Sequence, residues 1–253
     1  MLHDRHYSST LFGTKLSATE AYHWDQAIAL YSQALSLSIL PSSRDALWAT
    51  AVLLGILALA CVEISTPEES WPYAPPSPLD LNWLGMSEGK NLIWKDGREF
   101  ADESDFRVLA QMQKGNYVNL ALGTKEGLTA LPTNFVEYYD FADDLLKADP
   151  YFAPAFMLAQ SWEKSSSTIL NFWFFASNMM PRYKLLLAQK EPKALVILAY
   201  WWKIIAEKGN WNFFSRASIE CQSICLYLER FHGEDQELQS LLRFPRGEGS
   251  PRS

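Results

Sequence analysis

The sequence predicts an all-α chain, a single-domain array of about eight to ten helices around a buried apolar central helix. Three observations carry this. Apolar residues recur at helical spacing through most of the 253 residues, and no stretch shows convincing period-two alternation. The punctuation is that of helix ends, with capping residues, Pro in first turns and Gly after last turns. Hydrophobic residues make up 48% and charged residues 20%, which suits a packed core rather than disorder.

The elements follow in order. Ser17-Ala-Thr-Glu20 is a capping-box pattern opening a helix to about Leu37. Pro41-Ser-Ser-Arg-Asp45 breaks it, and an apolar helix starts at Ala46 and ends near Ile64. Ser65-Thr-Pro-Glu-Glu69 caps a short turn, and the four prolines between Trp71 and Pro78 make an extended connector. Leu79 to Trp94 reads as a short helix, and charged Lys95 to Asp105 as a loop. Phe106 to Asn119 and Thr133 to Lys147 are helices joined by a Gly-rich link. After Asp149-Pro150 come Ala153 to Lys164, then Ser165 to Met180 stopped by Pro181, then a short helix from Tyr183 to Gln189. Pro192 suits a first turn and Gly209 a C-cap. Between them Leu195 to Trp202 is apolar on every side, the mark of a helix enclosed by protein. A last long helix covers Phe213 to Phe231. The expected organisation is one helical domain over 1–245 and a Gly/Pro/Ser tail over 246–253.

Composition excludes several classes. The net charge is −7 and no Lys/Arg run is present, whereas a DNA binder gains most of its affinity by neutralising phosphates. No nucleic-acid contact is expected. Three cysteines, Cys61, Cys221 and Cys225, suit reduced thiols of an intracellular protein, nuclear or cytoplasmic. Cys221 and Cys225 share a helix face, but no second pair or nearby His completes a zinc tetrad. Neither metal nor cofactor is expected. The start, with His3, Asp4, Arg5 and His6, is too polar for a signal peptide. Ala46 to Val62 is uncharged but short for a span and lacks a basic flank, so a buried helix is preferred to a membrane crossing.

Chemistry-bearing motifs are few. Asp140, Asp143 and Asp144 fall at i, i+3 and i+4, with Glu137 one turn earlier, a spacing able to hold Mg²⁺ against a diphosphate. The order is D-x-x-D-D, however, the reverse of the usual cyclase motif. Its companion is one residue out of register, since Asn212 and Ser215 are followed by Glu220. A solvated acidic face explains the run more simply. His3 and His6 form an H-x-x-H pair at the terminus. His23, beside Trp24, is a lone acid or base without partners in sequence. No nucleophile elbow, H-E-x-x-H or phosphate-binding Gly loop occurs.

The ten Trp, eleven Tyr and fourteen Phe are the stronger signal. Phe172, Trp173, Phe174 and Phe175, with Met179 and Met180 close by, precede Tyr200, Trp201 and Trp202. Such side chains fill cores, and they also line apolar ligand sites.

Three segments carry a resemblance. Ala21-Tyr-His-Trp-Asp-Gln-Ala27 is followed by Arg44-Asp-Ala-Leu-Trp-Ala-Thr-Ala51. Ser65-Thr-Pro-Glu-Glu-Ser-Trp-Pro72 leads to Met86-Ser-Glu-Gly-Lys90. Pro192 to Trp202 is followed by Ala217 to Arg230. Together they resemble the C-terminal regulatory domain of fungal C6 zinc-cluster transcription factors, of the sterol-uptake-control type, over nearly all of 1–245. The resemblance implies a helical domain that senses a lipophilic molecule of sterol or terpenoid kind. The family's zinc cluster is absent from this chain, and Met1 begins after the family's first helices. The ligand is expected at Trp201, Trp202, Phe172, Trp173, Phe175 and Met179, and a second copy of the chain is admitted as a partner. The alternative is a stand-alone enzyme on the same scaffold, a metal-independent cyclase or pericyclase of secondary metabolism acting by holding one reactive conformer of a terpenoid or polyketide.

Overall fold

A computed structural model describes residues 17–37, 39–60, 64–78, 80–86, 93, 104–142, 146, 148–162, 174–208 and 214–248. Among them every regular element is helical, as the sequence predicts. The α-helices are α1 (Ala18–Leu35), α2 (Pro41–Ala60), α3 (Arg107–Ala121), α4 (Thr133–Tyr139), α5 (Phe152–Trp162), α6 (Pro181–Ala188), α7 (Pro192–Lys208), α8 (Phe214–His232), α9 (Gln236–Leu241) and α10 (Arg243–Arg246). Two 3₁₀ turns, Pro67–Glu69 and Lys125–Leu128, join them. The chain forms two compact units, one of Met1–Glu63 with Leu81–Tyr117 and one of Ile64–Asp80 with Val118–Ser253.

In the first unit the predicted capping box opens α1. Ser17 N–H donates to Glu20 Oε2 at 2.9 Å, and Glu20 N–H donates to Ser17 Oγ at 3.2 Å. Helix α2 begins at Pro41, ahead of the predicted start at Ala46, because a first-turn residue has no helical partner for the N–H that Pro lacks. Leu47, Trp48 and Ala51 of α2 form a core with Ile93, against which Tyr31, Ala34 and Phe106 pack. The Asp45 carboxylate accepts from Ser104 Oγ at 2.7 Å and from Asp105 N–H at 2.8 Å, tying the start of α3 to α2. The Ser42–Leu59 window of α2 is long and apolar enough to cross a membrane, and a third of it is buried. The sequence expectation of a central helix is not met there. Leu54 and Gly55 are buried, but Leu53 is 54% exposed, so α2 lies against protein on one side.

Enclosure on every side belongs to α7, in the second unit. From Ala194 to Trp202 every residue is at 1% exposure or below, as the unbroken apolar run predicts. Its main neighbour is α8, which contributes Ala217, Cys221, Ile224 and Leu228 at helical spacing. The first turn of α7 is held by its surroundings. Glu191 accepts from Ala194 N–H at 2.8 Å, while the Tyr139 and Tyr183 hydroxyls donate to the carbonyls of Lys193 at 2.6 Å and Ala194 at 2.9 Å. Burial pushes both phenols well above their ordinary value, so they act as donors throughout the accessible pH range.

Helix α4 is shorter than predicted. It ends at Tyr139, and Asp140 takes a left-handed conformation with φ 47° at its C-cap. The cause is tertiary: Phe141 is buried, stacked on Tyr139 at 5.5 Å and set edge-on to Phe152, which a continued helix would prevent. Helices α9 and α10 are absent from the sequence reading, being six and four residues long. They close the C-terminal end of α8. Gln239 Nε2 donates to the carbonyls of Leu228 and His232, and Arg246 pairs with Glu229 at 3.5 Å.

The Gly-rich link has a packing reason. The ring of Phe156 on α5 lies against the backbone at Gly123 and Gly127, and a Cβ on Gly127 would be driven into it. Gly127→Val is therefore expected to lower stability by about 1–3 kcal/mol through overpacking. Urea denaturation checks this, with Phe156→Leu as the partner change that recovers part of the loss. An unchanged midpoint would show that the ring moves aside freely.

Candidate functional site

Trp201 and Trp202 sit in the third turn of α7 and are fully buried. The Phe175 ring stacks on Trp201 at 4.9 Å and 19°, and Trp201 meets Trp202 at 4.5 Å. Met179, four residues beyond Phe175, is also buried, while Met180 is 49% exposed. Phe172 and Trp173 lie outside the described residues. Tyr200 points elsewhere. It joins Phe135 at 4.9 Å, Trp162 at 5.8 Å and Phe244 at 5.0 Å, and its hydroxyl donates to the Leu241 carbonyl. The Tyr200-Trp201-Trp202 run thus serves two clusters. One is the aromatic core around Tyr200; the other is Phe175, Trp201 and Trp202.

The second cluster borders a buried ion pair absent from the sequence-predicted site. The Arg216 guanidinium lies 5.7 Å from the Trp202 ring centre. Its Nε and Nη2 both lie 3.1 Å from Glu220 Oε1, one turn along α8, with side chains 9% and 6% exposed. Burial raises the Glu220 carboxyl above its ordinary value, opposed by the Arg216 charge, its hydrogen bond and the Ser70 side chain, and aided by Asp80. Sequence reasoning met Glu220 only as a misplaced metal motif. The available signal was the i, i+4 Arg/Glu spacing on α8.

The same face of α8 continues as a polar stripe that holds the Pro-rich connector. Ser223 Oγ donates to the Ser70 carbonyl at 2.8 Å and accepts from Tyr73 N–H at 3.4 Å. Arg230 Nη1 donates to the Tyr73 hydroxyl at 2.7 Å, and Lys190 Nζ donates to the Pro72 carbonyl at 2.6 Å. Glu220 is itself buried and lies beside the Ser70 side chain. The segment from Ser65 to Pro72, singled out in the sequence, acts structurally as a cover over α8.

The remaining candidates fall away from this site. Asp140 lies past the end of α4, so the helical register assumed for the three aspartates does not extend to it; Asp143 and Asp144 lie outside the described residues, as do His3 and His6. His23 is exposed on α1 and meets the ring of Tyr22 at 5.5 Å. Cys221 and Cys225 are buried free thiols. Contact with the Cys225 thiol and burial push the Cys221 thiol well above its ordinary value, which removes its nucleophilic form. Among the described residues no three His, Cys, Asp or Glu side chains are grouped to hold a metal ion. A comparison of the chain with known protein families, curated proteins and solved structures gives no match.

Proposed function

We propose that this chain is a binding domain for a lipophilic small molecule of sterol or terpenoid size, of the fungal zinc-cluster-regulator type and without a DNA-binding module of its own. The observation that carries the reading is the buried aromatic cluster of Phe175, Trp201 and Trp202, with the Arg216–Glu220 pair beside Trp202. Apolar surface with a few convergent polar groups is the usual make-up of a small-molecule site. A titratable group shifted by burial beside such a surface is a further mark of one. The family resemblance of the sequence supplies the ligand class, and the −7 net charge supports the absence of direct DNA contact.

The decisive experiment is native mass spectrometry of the chain purified from a fungal host, where an apolar molecule is expected to be retained. Titration of the emptied protein with sterols and terpenoids should change Trp emission with micromolar affinity or better, the range set by about 400 Å² of buried ligand surface less association costs. No retained molecule and no fluorescence response would overturn the proposal. In gel-shift titration at physiological salt, duplex DNA should give no sequence-specific complex; a sub-micromolar specific one would remove the second half of the reading.

A further inference from the structure

We propose that the Pro-rich connector docks a partner protein that reads extended proline sequences through an aromatic-lined groove flanked by carboxylates, as an SH3 domain does. The surface consists of Ala74 to Pro78 together with Arg230 and Phe231 of α8, all within the second unit. It does not depend on the ligand-binding reading above.

The chain itself sets the shape. Pro75, Pro76 and Pro78 each have φ fixed by their rings. Ala74, Pro75 and Ser77 each precede a proline, which pushes them toward extended backbone. A polyproline helix repeats every three residues, so Pro75 and Pro78 fall on one edge. That Pro-x-x-Pro spacing is what aromatic-lined grooves take.

Burial then divides the connector in two. Ser70, Trp71 and Pro72 are buried, whereas Pro75, Pro76, Ser77 and Pro78 are all exposed. Both ends of the exposed stretch are pinned. Ala74 N–H donates to the Ser70 carbonyl at 2.8 Å. At the far end Ser77 N–H donates to Asp80 Oδ2 at 2.8 Å, and Asp80 N–H donates to the Ser77 carbonyl at 3.1 Å. A segment already held in an extended shape loses little freedom when it docks.

Arg230 supplies the charge. It is exposed, and Nη1 donates to the Tyr73 hydroxyl at 2.7 Å. Its guanidinium lies 5.6 Å from the Tyr73 ring centre and 5.5 Å from that of Phe231, which is 57% exposed. A cation is thus fixed to the residue two places ahead of Pro75. Its partners are aromatic, and among the described residues none is a carboxylate. Carboxylates beside the partner's groove would complete the pair and set the direction in which the segment is read. One cation on a chain of net charge −7 suits such a groove and not a nucleic acid, whose binding needs many.

The test titrates the fluorescently labelled full chain with a panel of purified SH3 and WW domains, read by polarisation. At least one SH3 domain that takes Arg ahead of Pro-x-x-Pro should bind, and binding should weaken as ionic strength rises. Replacing Pro75 and Pro78 together by Ala should weaken it at least about tenfold. Arg230→Gln should weaken it about 3- to 10-fold and flatten the salt dependence. Circular dichroism should show both variants folded, since the changed side chains are exposed. Should the double variant prove unfolded, Pro75→Ala alone takes its place with the same direction of effect.

Binding by no domain of the panel, or binding that survives loss of both prolines, would overturn the docking segment. Capture by WW domains alone, or proline-dependent binding that ignores Arg230→Gln and salt, would overturn the carboxylate-flanked partner.

Discussion

Replacing Arg216 by Met is expected to destabilise the protein by about 3–5 kcal/mol, because it leaves the Glu220 charge buried without its partner. Methionine keeps much of the apolar bulk against Trp202, so lost packing contributes little to that figure. The pH dependence identifies the cause. Burial already holds the folded-state carboxyl of Glu220 above its ordinary 4.5. Between the unfolded and folded values the native state therefore binds more protons than the unfolded chain, and stability falls as pH rises through that window. Below it both states are protonated and the penalty disappears. Loss of Arg216 removes the main influence pulling the value down, so the window widens upward. The deficit of Arg216→Met should accordingly be small near pH 4 and largest above neutrality, measured by guanidinium denaturation at several pH values. A deficit independent of pH would show that the substitution acts by removing packing against Trp202, and not by leaving the buried Glu220 charge unpaired.

The second large effect lies at Trp201. Truncation to Ala should cost about 3–5 kcal/mol, the range for deleting a large aromatic from a core. The indole is at 1% exposure, with Phe175 stacked at 4.9 Å and Trp202 at 4.5 Å. A variant so weakened would lose ligand binding through unfolding alone. Trp201→Phe keeps a ring between its two neighbours and is expected to retain most of the stability. Thermal melts of the two variants give the first comparison, and ligand titration of the Phe variant gives the second. If the Ala variant melts within about 2 °C of the parent, as a loss well under 1 kcal/mol would permit, the rings are not mutually supporting and the cluster description is wrong.

Local rules made much of the fold legible. Ser17 and Glu20 formed their capping box because both partners lie within one turn and need nothing from elsewhere. The enclosure of α7 was readable from Leu195 to Trp202, since a helix with no polar side has no face to show to water. The same test misled at α2, where an uncharged run turned out to lie against protein on one side only. Lack of charge permits burial without requiring it.

Elements dependent on distant partners stayed hidden. Nothing near Asp140 in sequence announces that Phe141 will leave the helix to stack on Tyr139 and meet Phe152. Helices α9 and α10 are too short to show a period, and they are held by Gln239 and Arg246 reaching back to α8. At the candidate site the sequence nominated the aromatics Phe175, Trp201 and Trp202 from density alone. It did not separate Tyr200 from the two tryptophans, because its partners Phe135, Trp162 and Phe244 are distant in sequence.

By itself, then, the sequence determined helical class, most helix starts and the identity of the buried helix α7, because these follow from interactions within a few residues along the chain. Only the tertiary structure decided that the chain forms two units, that Arg216 lies against Trp202, and that Ser70 covers Glu220. Ser70 and Glu220 are remote in sequence, and no local preference encodes their meeting. Burial of an ion pair is set by everything that closes around it, so it becomes visible only once α8 and the connector are packed together.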